Sequence, residues 1–122
     1  MNVSIVSKLD VTSNVLDVMA RGLPSIISGV MEIPGGKLAI LKPEQVSLEF
    51  SQASPRDVGS DIRVMAFARC NDPRSSTENE LARKILEKIV ALITTSGENY
   101  SVDVRLYLIE IGAAEHSAGA GR

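Results

Sequence analysis

The side chains of this sequence that could do chemistry are few. Cysteine and histidine occur once each, as Cys70 and His116. Cys70 closes an apolar stretch and would need a neighbouring base to act as a nucleophile. The only imidazole lies far off in a polar tail, so Cys70 reads as a small core residue. One His and one Cys match no zinc-ligand spacing. Pro34-Gly35-Gly36-Lys37 is too short for a phosphate loop and has no Ser or Thr after the lysine. The acid pairs Glu78/Glu80 and Glu110/Glu115 sit where a helix starts and a strand ends, and read as surface charge. Neither a metal nor a cofactor is expected. What remains is arginine. A guanidinium forks onto a carboxylate through two parallel hydrogen bonds, which makes it the natural binder of small organic anions. Arg63 and Arg69 alternate with apolar residues, Arg74 falls in a turn, and Arg105 shares a strand face with Tyr107 and Ile109. Each also has a plain structural reading. An arginine stem can cover apolar surface while its head pairs with a nearby acid.

The elements that must position these arginines can be read from periodicity. Residues 2–9 have the β-branched content of a strand. Thr12, Ser13 and Asn14 offer caps to a helix whose apolar positions are Val15, Leu16, Met19, Leu23, Ile26, Ile27, Val30 and Met31. Gly22-Leu23-Pro24 predicts a kink or restart within it, because proline removes a donor and crowds the preceding turn. Pro34-Gly35-Gly36 ends the segment, and Lys37–Leu41 reads as a short extended piece. Gln45–Phe50 alternates as a half-buried strand. Ser51–Ser60 is a turn-rich junction. The pattern then repeats. Asp61–Cys70 is a strand, with Ile62, Val64, Ala66 and Ala68 on one face and Arg63, Met65, Phe67 and Arg69 on the other. Asp72–Ser76 is a turn. Glu78–Ser96 is a helix with its stripe at Leu81, Ile85, Ile89, Leu92 and Ile93 and a stop at Gly97. Capping-box spacing links Ser75 with Glu78 and Thr77 with Glu80. Ser101–Ile111 is the last strand, and residues 112–122 read as a mobile tail.

The sequence therefore predicts an α/β (α+β) fold. Two βαβ halves, about residues 1–52 and 61–111, form a four-stranded mixed sheet within one domain, with two helices on one face. With strands apolar on both faces and helices for only one, another copy of the chain is the expected cover for the open face. A length of 122 residues with 44% apolar content supports a real core, and 3% aromatic content makes that core aliphatic. A net charge of −2 and the shortage of aromatics speak against nucleic acid. No apolar run approaches the ~20 residues of a membrane span. A lone cysteine and the absence of a signal-peptide pattern suit a reducing, cytoplasmic setting.

Two motifs narrow the fold. Arg74-Ser75-Ser76-Thr77-Glu78 resembles the Gly-Arg-Ser-x-Glu that opens a helix in the tautomerase superfamily, with Pro73 where that family usually has Gly. Ser101–Ile111 resembles the family's strand carrying Val-Arg, four further residues, then Glu-Met or Glu-Ile. The resemblance covers residues 61–112 by motif and 1–52 by architecture. Its two halves in one chain are similar to carboxymethyl-hydroxymuconate isomerase and macrophage migration inhibitory factor, rather than to the half-length oxalocrotonate tautomerase. The resemblance implies a homotrimer and proton transfer on a small carboxylated enol. In that family an N-terminal proline is the base and arginines hold the substrate carboxylate. By matched position, Arg74 and Arg105 become the anion-binding residues, and Arg69 stands close enough to the turn to join them. The base does not carry over. Residue 2 is Asn, which is large enough that Met1 is expected to stay. The Met1 amine is then the only, and a weak, replacement. Two functions follow: an isomerase or tautomerase with an atypical base, or a non-catalytic trimer binding a small anion.

Overall fold

The computed structural model describes residues 1–32, 41–69 and 78–118. Strand β1 spans Asn2–Ser7, helix α1 Ser13–Met31, strand β2 Ser47–Gln52 and strand β3 Ile62–Arg69. Helix α2 spans Glu78–Thr95 and strand β4 Val102–Ile109. A single 3₁₀ turn at Pro43–Gln45 leads into β2. The strands lie in the order β2-β1-β3-β4. Each outer pair is parallel, and the central β1–β3 pair is antiparallel. This is the expected four-stranded mixed sheet with two helices.

The core forms because alternation in the strands meets helical periodicity above them. Across the central pair Val3 faces Ala66, Ile5 faces Val64 and Ser7 faces Ile62, and all six are buried. Val15, Met19, Leu23 and Ile27 of α1 and Ile85, Ile89 and Ile93 of α2 are buried with them. Val104, Leu106 and Leu108 of β4 extend this core at its margin.

Helix α1 is capped by Thr12, whose hydroxyl accepts a hydrogen bond from the Val15 amide at 3.3 Å. It then runs unbroken through Pro24, so the helix does not restart there. The carbonyl that Pro24 leaves without a donor belongs to Ala20, which is exposed, so water can satisfy it. Buried Leu23 and Ile27 hold the helix on both sides of the proline. Gly22 has a different role. A Cβ there would lie 2.7 Å from Cδ2 of Leu92, so the glycine lets α1 and α2 approach closely. Helix α2 stops as expected at Gly97, where φ is +83° and the amide donates to the Thr94 carbonyl at 3.0 Å.

Strand β2 begins two residues later than its alternation suggested, because Gln45 closes the 3₁₀ turn. As an edge strand with little above it, β2 is mostly exposed and only Leu48 is half-buried. The open sheet face is also less uniform than expected. On β3 and β4 it carries Met65, Phe67, Tyr107 and Ile109 among charges. On β1 and β2 it carries Asn2, Ser4, Val6, Ser47, Glu49 and Ser51. The open face is therefore more apolar over β3 and β4 than over β1 and β2. Residues 110–118 are exposed and without regular structure. The extended piece expected at 37–41 and the caps expected at Ser75 and Thr77 fall wholly or mostly outside the described residues. No helix among the described residues is long and apolar enough to cross a membrane.

Candidate functional site: an arginine beside an aromatic pair on the open sheet face

The parallel register of β3 and β4 assembles the site. Arg63 lies opposite Asp103, Met65 opposite Arg105 and Phe67 opposite Tyr107. Strand alternation turns all six toward the face away from the helices. Arg105 is two-thirds exposed, at 67%, and its Nε donates to Asp103 Oδ2 at 3.3 Å. Among the described residues this is its one hydrogen bond, and it leaves both terminal nitrogens of the fork available to a ligand. Arg63 meets Asp57 Oδ2 at 3.6 Å. The rings of Phe67 and Tyr107 stack, with centroids 4.9 Å apart and planes within 11° of parallel. Such a pair fixes the two side chains against each other.

Two open depressions meet at Arg105. One, of about 280 Å³, lies on the sheet face between Arg63, Met65, Asp103, Arg105 and Tyr107. The other, of about 320 Å³, passes around the β4 edge to Glu78, Asn79 and Ala82 at the start of α2. Asp103, Arg105 and Tyr107 line both. A third depression, of about 450 Å³, lies over β1 and β2, lined by Asn2, Ser4, Ser47, Glu49 and Phe67. It holds one acid and no arginine. Chemically, the Arg105 region can accept an anion and lay apolar surface on an aromatic ring. Among the described residues no group of His, Cys, Asp and Glu could hold a metal ion.

The structure does not bring all the sequence candidates together. Arg69 stands opposite Ile109, four residues beyond the Met65–Arg105 row, or about 13 Å at ~3.3 Å per residue. Met1 lies two strands and three rows from Arg105, about 14 Å between Cα atoms at ~4.8 Å per strand. Its amine donates to the Gln45 carbonyl at 3.1 Å, and its own carbonyl accepts from the Ser47 amide at 2.9 Å. Arg74 and Cys70 lie outside the described residues. His116 is exposed in the C-terminal segment. Asp103, Phe67 and Tyr107 were not candidates from the sequence, and Arg63 stood there only as an arginine alternating with apolar residues. The alternations Arg63-Met65-Phe67 and Asp103-Arg105-Tyr107 were visible, but only the strand register joins them.

Among the described residues one carboxylate has a shifted proton affinity, and it lies away from this site. Asp61 is held below the usual carboxylate range first by the Ser101 amide, which donates to it at 3.0 Å. The Ser101 hydroxyl at 3.1 Å and the charge of Lys8 add to this, against a smaller opposing effect of burial. Ser101 Oγ accepts from the Asp61 amide at 2.8 Å in return. This reciprocal pair ties together the starts of β3 and β4.

No protein-family model matches the chain, and no curated protein matches it. Solved structures do. Malonate semialdehyde decarboxylase, solved in wild-type, mutant and inactivated forms, superposes with a TM-score of 0.61 at 12% identity, over 100% of this chain and 93% of that one. An asymmetric trimer of fused 4-OT gives a TM-score of 0.64 at 11% identity, over 96% and 95%. A member of the cis-3-chloroacrylic acid dehalogenase family gives 0.60 at 10% identity, over 100% and 82%. The strand order, the paired βαβ halves and these superpositions agree: the chain has the fold of the tautomerase superfamily.

Proposed function

We propose that this chain binds a small carboxylate at Arg105 and works as a self-associated protein, most simply a homotrimer. The observation that carries the reading is the Arg105 fork, exposed at the meeting of two depressions and engaged only through Nε among the described residues. Self-association is supported by the exposed apolar surface of Met65, Phe67, Tyr107 and Ile109 and by a fused 4-OT neighbour that is itself a trimer. A second copy over this face would turn open depressions into an enclosed pocket. Arg69 and Arg74 belong to the same proposal as further anion contacts. At about 13 Å from the Arg105 row, Arg69 would reach a shared ligand most easily across a subunit boundary. A cytoplasmic setting suits a chain with one cysteine.

A second reading adds chemistry to the same ligand: proton transfer on a carboxylated enol. It is supported by the neighbours, whose names are those of enzymes acting on small acids. Within one copy, however, the Met1 amine lies about 14 Å from Arg105. Binding of the carboxylate is therefore the primary reading, and turnover the secondary one.

Thermal-shift titration with a panel of small carboxylates tests the first, with Arg105→Ala beside it. Loss of a charge-assisted contact of about 1.5–3 kcal/mol should weaken binding roughly ten- to 150-fold. An unchanged affinity in the folded variant refutes the Arg105 assignment. Ketonisation of phenylenolpyruvate by the same two proteins tests the second. Sedimentation should give about 39 kDa, three times the 13.1 kDa chain. A monomer would refute the assembly.

A further inference from the structure

We infer that Asp103 makes the Arg105 site selective for amino acids, taking the ammonium of a ligand whose carboxylate Arg105 holds. The inference rests on the carboxylate reading of Arg105 and names the class of carboxylate that the site takes.

Three observations support it. First, Asp103 and Arg105 are two residues apart on one face of β4, and both line the same two depressions. A carboxylate in the wall of an anion site repels a plain anion. It attracts a ligand that carries a positive charge beside its negative one. Second, the charge of Asp103 is only partly used. Its Oδ2 accepts from Arg105 Nε at 3.3 Å, and this is its one side-chain hydrogen bond among the described residues. Arg63 lies opposite Asp103 in the strand register but meets Asp57 instead, at 3.6 Å. Oδ1 is thereby left to a ligand, on a side chain that is 37% exposed. Third, the depression that passes around the β4 edge has two carboxylates, Asp103 and Glu78, to one guanidinium among its described lining residues. Glu78 makes no ion pair among the described residues. The excess of negative charge disfavours a bare anion and suits a ligand with an ammonium.

The Arg105–Asp103 contact holds the two opposite charges against each other, and in an amino acid the ammonium and the carboxylate are likewise joined through a single carbon. The pairing needs no free aromatic surface. A second copy laid over Met65, Phe67 and Tyr107 would exclude water from the pair and strengthen both contacts.

The ligands for the test are 2-aminohexanoate and hexanoate, equal in chain length and alike in the carboxylate, compared by isothermal titration at neutral pH. The parent protein should bind 2-aminohexanoate about five- to tenfold more tightly, between the gain from an exposed ion pair and that from a charge-assisted hydrogen bond. Asp103→Asn keeps an oxygen for Arg105 Nε and removes the charge. It should erase the preference while hexanoate binds at least as well as before. If Asp103 served only to orient Arg105, the variant would shift both affinities together; an unchanged ratio would therefore refute the inference. Equal binding of both acids by the parent, or tighter binding of hexanoate, would overturn it and leave the Arg105 reading intact. Binding of neither would overturn both.

Discussion

Gly22 sets the distance between the two helices, and a double-mutant cycle can measure how much. In an ordinary helix interior, Gly→Ala is stabilising by about 1 kcal/mol, because alanine has less backbone freedom to lose. Here the new Cβ would meet Leu92 Cδ2 at 2.7 Å, Cδ1 at 3.4 Å and Cγ at 3.7 Å. Ordinary contacts begin near the second of these distances, so Leu92 must give by about 0.7 Å or turn to another rotamer. Leu92 is half-buried, and its tip can move. The cost then belongs at the low end of overpacking, about 1 kcal/mol. Gly22→Ala alone should leave stability nearly unchanged, since the two effects cancel. In a Leu92→Ala background the obstructing methyl groups are gone, and the same substitution should stabilise by about 1 kcal/mol. The expected coupling is therefore about 1 kcal/mol, read from urea unfolding of the parent, both single variants and the double variant. Equal stabilisation by Gly22→Ala in both backgrounds would refute close helix apposition as the reason for this glycine.

Two further predictions concern the ends of the elements. Thr12 caps α1 through Val15 and donates from its hydroxyl to Glu98 Oε2 at 2.6 Å, so Thr12→Ala should cost about 1–2 kcal/mol in chemical denaturation, with Ser restoring most of it. A variant with parental stability would show that the cap is redundant. Asp61 is held below its usual range by Ser101, so its stabilisation is full above the unfolded value near pH ~4 and fades as pH falls through the lower folded value. Melting temperature followed from pH 6 to 2 should show the parent losing that advantage over Asp61→Asn only below about pH 4; a constant gap across the range would contradict it.

The fold was legible in the sequence wherever period and burial agreed. The second half shows this most clearly: Ile62, Val64, Ala66 and Ala68 alternate into the core, and Ile85, Ile89 and Ile93 follow at helical spacing. The first half was harder for two physical reasons. Pro24 looked like a break, and nothing local says that the carbonyl it frees at Ala20 faces solvent. Residues 45–50 alternated as a half-buried strand, yet an edge position leaves the real β2 largely bare. The site was legible only in part. Arg105 could be singled out by motif and strand face, whereas its partners could not. Asp103, Arg63, Phe67 and Tyr107 become neighbours through a β3–β4 register set between residues 40 apart, such as Ile62 and Val102. Sequence spacing carries no record of such a pairing. The 13–14 Å that separate Arg69 and Met1 from Arg105 are likewise a property of strand order and register, at roughly 3.3 Å per residue and 4.8 Å per strand.

The position of β1 has a consequence for how the chain reaches this state. It lies between β2 and β3, and Asn2 pairs with Ser47 on one side and Phe67 on the other, 45 and 65 residues away. Neither pairing can form from a local hairpin, so both require closure of long loops before any ladder bond stabilises them. A ribosome must release Arg69 before the antiparallel centre of the sheet can be completed. Until then Val3 and Ile5 lack Ala66 and Val64 opposite them, while α1 and the parallel partner β2 are already available. Folding should accordingly be slow for a chain of this size, with helix signals gained ahead of sheet signals. The partly formed state would expose the edges of β1, the segment most open to pairing with the wrong chain.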